Sequence, residues 1–231
     1  MAVRQPIRSE VQPFYEVLTN PQSGGHSLYG RTGKRAFDLI ASLILLLALS
    51  PVILVLAAAV AVTSGFPVFY GGTRIGKDGR SFRMWKLRTM VTDAEALIEQ
   101  WKQKGTEEGL IYFQSYKLRK DPRITPLGRF LRKTSLDELP QLWNVVMGEM
   151  SLVGPRPIVE TEIHKYGEDA DAFLSVRPGI TGLWQVSGRN DIDYPERADV
   201  ELEYVWRLSL RQDAAVLLKT VPVLLFKRNG R

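Results

Sequence analysis

The stretch LIASLILLLALSPVILVLAAAVAV, residues 39–62, runs for 24 residues without a charge. As a straight helix it would reach about 36 Å, enough to cross a hydrocarbon layer of about 30 Å. It begins well inside the chain, exceeds the usual apolar core of a signal peptide and lacks a small-x-small exit, so it reads as an anchor.

Two features bear on whether this anchor crosses or turns back. Pro51 has no amide hydrogen and its ring crowds the carbonyl four residues earlier, so a bend is expected there. Ser50 beside it can hydrogen-bond a freed carbonyl within lipid. The arms 39–49 and 52–62 would then each span about half a bilayer. The flanks are also positive on both sides, with Arg4, Arg8, Arg31, Lys34 and Arg35 upstream and Arg74, Lys77, Arg80, Arg83, Lys86 and Arg88 downstream. Positive flanks belong on the cytoplasmic side. A hairpin that dips in and returns satisfies both flanks; a kinked spanning helix is the alternative.

The remaining composition narrows the chemistry. The 31 basic and 25 acidic residues leave a formal charge of +6, which suits an acidic or phosphorylated partner, a membrane surface or a nucleic acid. Nucleic-acid binding is the poorest of these, because no recognisable module accompanies the charge and the apolar run would be unexplained. With no cysteine and two histidines, a thiolate or imidazole metal centre is not expected. A hard cation on carboxylates is the remaining kind.

Organisation follows from local pattern. Residues 1–30 are polar and rich in turn formers, and read as a flexible arm. Residues 31–66 form the anchor, with Asp38 placed to pair with Arg35. Residues 67–231 read as a small domain of mixed α/β class, mostly helical with short strands. Within it, GKDGR marks a turn between strands over 67–90. Thr92 and Glu95 open a helix, and residues 105–126 are loop-rich. A second helix is expected over about 136–147, capped by Ser135 with Glu138. The closing AAVLLKTVPVLLFKRNGR reads either as an interfacial segment or as a core helix with a basic tail.

Candidate chemistry gathers at TSLDELPQLW. Asp137 and Glu138 at a helix start have a structural reading as capping and dipole partners. They also have a functional one, a carboxylate kept ionised by the helix end and nearby arginines and able to attack phosphorus. Around them lie phosphate-type groups. Strand alternation in RMWKLRTM puts Lys86 and Arg88 on one face. Arg156 stands between two prolines in GPRP, Arg177 and Arg189 flank glycine-rich turns, and Arg132 precedes Asp137 by five residues.

These motifs, KRAFD, the Ser50–Pro51 break, KLRTM, LGRFLRKTSLDELPQLWNVVMGEMSLVGPRP and RPGITGLWQVSGR, together resemble the bacterial sugar transferase family, the monotopic phosphoglycosyl transferases. The likeness runs in order from about Arg31 to the C-terminus and is strongest for the exopolysaccharide-initiating members that carry galactose or glucose phosphate. It implies transfer of a hexose-1-phosphate from a UDP-sugar to polyprenyl (undecaprenyl) phosphate with release of UMP. Asp137 would be the nucleophile and a Mg²⁺ ligand, and Glu138 its acidic neighbour. Lys86, Arg88, Arg132 and Arg156 match basic active-site positions, Arg177 and Arg189 less closely, and Ser50 and Pro51 match the break of a re-entrant helix. The resemblance further implies the cytoplasmic face of the bacterial inner membrane, contact with its lipid and downstream glycosyltransferases as partners. A different UDP-sugar, such as an N-acetylated hexose, or a silent membrane-surface scaffold remain alternative readings.

Overall fold

In a computed structural model of the chain, the described residues are 29–104, 109, 118, 121–187 and 192–226. Nearly all of the expected N-terminal arm, part of the 105–126 loop and the basic tail from residue 227 lie outside them.

The apolar stretch forms most of α1 (Lys34–Ser64), entered through a turn over Tyr29–Gly33. At 31 residues, α1 is about 46 Å long. Helical hydrogen bonding continues past Pro51. Ser50 Oγ donates to Leu47 O at 2.8 Å, the carbonyl that Pro51, lacking an N–H, leaves open. Only 6% of its most apolar window is buried, which separates α1 from the core helix of a globular domain. Ile40, Ile44, Leu47, Leu54 and Val55 are all more than half exposed.

Both halves of α1 nevertheless touch the rest of the molecule. Lys34 Nζ meets Asp213 Oδ2 at 2.6 Å, Arg35 donates to Val145 O and Val146 O, and Asp38 Oδ1 accepts Leu152 N–H at 3.1 Å. The expected Arg35–Asp38 pair is therefore not made, because both side chains find buried backbone partners far along the chain. At the other end Leu56, Ala57 and Val60 pack with Leu87, Leu131 and Leu136.

A hairpin follows. β1 (Phe69–Ile75) and β2 (Ser81–Leu87) pair antiparallel, with Tyr70 opposite Lys86 and Arg74 opposite Phe82. Asp78 and Gly79 take positive φ at the turn, as the GKDGR signal predicts. The order continues through α2 (Ala94–Lys104), α3 (Pro126–Thr134), a 3₁₀ turn over Leu136–Glu138 and α4 (Gln141–Met147), which packs on α1. β3 (Ser151–Val153) then pairs parallel with β4 (Gly179–Thr181) across a 3₁₀ stretch at Glu160–Asp169 and α5 (Ala170–Leu174). α6 (Leu183–Ser187), α7 (Glu196–Trp206) and α8 (Leu210–Phe226) complete a mostly helical domain with short strands.

The principal core gathers Met84, Leu142, Met150, Leu183, Tyr204 and Val216. A second cluster joins Ile75 and Ile158 to Tyr166 and Phe173. α8 has a buried side, with Asp213, Val216 and Val223, and an exposed one, with Leu210, Leu218 and Val221.

Candidate active site

The segment that carries Asp137 is shaped by α3. The Thr125 hydroxyl accepts Gly128 N–H at 2.9 Å and Pro126 occupies the first turn, a regular helix start. Gly128 lies flush on the chain leaving β2, where a Cβ would fall 2.0 Å from Thr89 O. Only glycine allows that approach, which brings Arg132 Nε to Thr89 Oγ1 at 2.8 Å. α3 ends at Ser135, whose φ of 56° is left-handed.

That ending overturns the expected capping box. Ser135 closes α3 in a left-handed conformation and its carbonyl accepts Glu138 N–H at 3.2 Å to open the 3₁₀ turn, but its side chain caps nothing. Asp137 and Glu138 stand in a short 3₁₀ turn ahead of α4. Glu138 is free to reach across to β2, where Lys86 Nζ meets its Oε1 at 2.6 Å.

Asp137 is 6% exposed. Burial pushes its carboxyl above the usual range, Lys86 and Arg132 pull it back, and Glu138 pushes it further. The expectation of a carboxylate held ionised by an α-helix start therefore gives way to a desolvated one balanced by two side-chain cations. Arg132, itself half-buried, is lowered by burial while Asp137 and Asp121 support its charge. A buried carboxyl shifted by desolvation and by named charge partners is a candidate functional group.

Of the eight predicted catalytic and substrate-binding residues, Asp137, Glu138, Lys86 and Arg132 come together here. Arg88 does not share an anion site with Lys86. Arg88 N–H still donates to Val68 O at 2.8 Å, the next rung after Phe69–Leu87, but its Nη2 turns to Ser64 O and Gly65 O, 2.6 Å from the latter. It fastens the last carbonyls of α1. Arg177 Nε donates to Gly148 O at 2.7 Å, securing the chain after α4. Arg189 lies outside the described residues.

Arg156 anchors a separate arrangement. Its N–H donates to Glu201 Oε1, and its guanidinium lies 6.0 Å from the Trp184 ring, which Arg197 also covers at 4.2 Å. Glu201 is 1% exposed and further holds Arg197 at 3.3 Å and the Tyr166 hydroxyl. Neither Arg156 nor the half-buried Arg74 has an ion-pair partner among the described residues. Burial, then the nearby Arg156 charge, lowers Arg74. Trp184, Glu201 and the role of Arg74 escaped the sequence reading. The one available signal was Arg74 sharing a strand face with Gly72.

The fold and site define a domain rooted by a long apolar helix, with a buried carboxylate set between cations. Comparison supplies the family: residues 29–227 match the model of the bacterial sugar transferases, and the chain belongs to that family. It is 47% identical over 197 residues to a UDP-galactose-lipid carrier transferase of Erwinia amylovora, covering 85% of this chain and 41% of that protein. It is 41% identical over 228 residues to the exopolysaccharide production protein ExoY of Rhizobium meliloti, covering 99% of this chain and 100% of that one. An undecaprenyl-phosphate galactose phosphotransferase of Salmonella typhimurium is 45% identical over 197 residues, 85% of this chain and 41% of its own length. The chain thus spans about two-fifths of the first and third relatives and the whole of the second. Family and helix together indicate membrane association.

Proposed function

We propose that this chain transfers a hexose-1-phosphate, galactose or glucose, from its UDP-sugar to polyprenyl phosphate at the cytoplasmic face of the bacterial inner membrane. The observation that carries the reading is Asp137, buried yet balanced by Lys86 and Arg132. The carriers named in the relatives support the substrates.

In the first displacement an Asp137 carboxylate oxygen bonds to the sugar-side phosphorus of the donor. The bond from that phosphorus to the bridging oxygen breaks, and UMP departs with the electron pair. In the second, a phosphate oxygen of the polyprenyl phosphate attacks the same phosphorus, the acyl phosphate bond breaks and Asp137 is regenerated. The product is a lipid diphosphate sugar. Two displacements divide one difficult exchange into easier ones, while Lys86 and Arg132 stabilise the charge spreading over the phosphoryl oxygens.

The donor set fits Mg²⁺. Asp137 would hold it, because Mg²⁺ takes one or two protein carboxylates and completes its shell with phosphates and water, while Glu138 is engaged by Lys86 at 2.6 Å. Bound there, it would neutralise diphosphate charge. Among the described residues there is no cluster of three or more metal-ligating side chains of the kind a fully protein-built cage needs.

In this reading α1 dips into the membrane and returns, which keeps Asp137 on the side of the nucleotide sugars. Positive flanks, Pro51 and the packing of both halves of α1 on one domain support it. Thr32→Cys and Thr73→Cys in this cysteine-free chain are expected to be labelled from the same side; opposite-side labelling means a true span.

The decisive experiment quenches the full chain in nanodiscs with UDP-sugar alone and weighs it intact. A sugar-phosphate adduct that disappears in Asp137→Asn is expected. Product formation with acceptor, without any adduct at any time, overturns the mechanism.

A further inference from the structure

Arg74 lies along the sheet rather than away from it. The space a Cβ at Gly72 would enter holds the Arg74 guanidinium, with Nη1 3.3 Å and Cζ 3.8 Å from that position. Arg74 therefore reaches over Gly72 toward Tyr70, the residue opposite Lys86. Tyr70, Gly72 and Arg74 share one face of the hairpin with Lys86, Met84 and Phe82. The backbone positions of Arg74 and Tyr70 are about 13 Å apart along the strand, and the folded-back guanidinium covers part of that gap.

Arg156 comes to the same end of the hairpin. Ile75 N–H donates to Ile158 O at 2.9 Å, joining the end of β1 to the chain just after Arg156. Two prolines stiffen Arg156, the buried Glu201 holds its N–H and Trp184 lies under its guanidinium. Among the described residues, the Arg74 guanidinium donates to one acceptor, its neighbour's carbonyl, Thr73 O at 2.7 Å. The buried Glu201 is already engaged by Arg197 and Tyr166. Arg74 and Arg156 are half-buried and close enough for their charges to repel, and Glu162 offsets Arg74 only at a distance. Neither guanidinium has an ion-pair partner among the described residues, which leaves a positive site.

We infer that Arg74 and Arg156 grip the nucleoside-side phosphate of a nucleoside diphosphate sugar, on the sheet face that places Lys86 at the sugar-side phosphate. This rests on the proposed phosphosugar transfer and adds which end of the donor lies where. The hairpin end carrying Arg74 is the one distant from the exit of α1, which favours a water-soluble nucleotide over a lipid phosphate. Gly72 is the opening through which Arg74 reaches back.

The test titrates UDP and uridine onto the full chain in nanodiscs, comparing Arg74→Gln, Arg156→Gln, Arg74→Lys and Gly72→Val. Loss of one charge-assisted contact is expected to weaken UDP by about tenfold or more, with uridine unchanged and Arg74→Lys keeping most of the affinity. Gly72→Val, which displaces the guanidinium without removing it, is expected to behave like Arg74→Gln while its far-UV spectrum stays native. The KM for UDP-sugar should rise more than kcat falls, and the Asp137 adduct should still form at saturating donor. Unchanged UDP affinity in Arg74→Gln overturns the inference even if native protein forms the adduct. So does a loss confined to binding of anionic-phospholipid vesicles, which would assign the pair to a lipid headgroup. An absent adduct in native protein strikes the proposed transfer instead.

Discussion

The two ends of α1 are fastened to the domain by opposite means. At the start, Lys34, Arg35 and Asp38 sink charged groups into it, and Lys34 meets an Asp213 carboxylate that also accepts the hydroxyls of Tyr29 and Tyr204. At the far end the contact is apolar, Val60 against Leu87 and Leu131, with Arg88 closing over the last carbonyls. The first end is tied to the body of the domain. The second is tied to the elements that carry Lys86 and Asp137. A buried ionic root tolerates little adjustment, whereas the apolar seat puts α1 in contact with the elements that carry Lys86 and Asp137.

The largest effect is therefore expected at the root. Asp213→Ala takes the close acceptor from the buried Lys34 ammonium, leaving it Asp38 at 4.0 Å, and from the Tyr29 hydroxyl, while Tyr204 keeps Val153 O. The expected loss is about 3 kcal/mol or more. Urea unfolding of the purified full chain should show it, or the variant should fail to accumulate. A loss below about 1 kcal/mol would mean that the root is not structural. Leu131→Ala comes next. It empties space between α1 and the Asp137 turn, at a cost of about 2–5 kcal/mol. Its signature is functional: turnover of the protein that remains folded should fall, because Leu136 shares that seat and Asp137 follows it. Root variants that stay folded should retain turnover per folded molecule.

The third prediction sharpens the site's side of the contrast. Burial raises the Asp137 carboxyl above its unfolded value, so the folded protein holds that proton more tightly. The associated stability is fully present below the ordinary aspartate range and is lost as pH rises through the folded value. Asp137→Asn escapes that loss. It should abolish turnover yet melt higher than the native protein at pH 7.5, with the gap closing as the pH falls toward 4. Equal melting temperatures at both pH values would mean that Asp137 carries no desolvation strain.

Much of this contrast was legible in the chain. The uncharged run and the turn at GKDGR express local rules that tertiary contacts left standing. What could not be read depends on distant partners. Ser135 carries a good capping residue, but the end of α3 claims it in a left-handed conformation. Arg35 and Asp38 have suitable spacing, but Val145 and Leu152 outbid the local pair. Arg88 keeps its rung on Val68 O, yet the carbonyls that end α1, far from it in sequence, claim its guanidinium. Arg74 looked like one more flanking charge because its meaning depends on empty space above Gly72 and on Arg156, more than eighty residues away.

The smallest expected effect lies between the two ends. Pro51 leaves Leu47 O without its usual amide donor, and Ser50 Oγ supplies a substitute at 2.8 Å. In hydrocarbon there is no water to replace it, so Ser50→Ala should cost about 1 kcal/mol or less. Pro51→Ala restores an amide donor to the same carbonyl. The two side chains should therefore be coupled: Ser50→Ala matters when Pro51 is present and becomes nearly silent beside Pro51→Ala. A double-mutant cycle read by thermal unfolding in nanodiscs measures that interaction. If Ser50→Ala costs the same with and without Pro51, the hydroxyl is not acting on the carbonyl that the proline opens. If the coupling is found while the same-side labelling pattern survives Pro51→Ala, the clamped ends of α1, rather than the proline, set its path through the membrane.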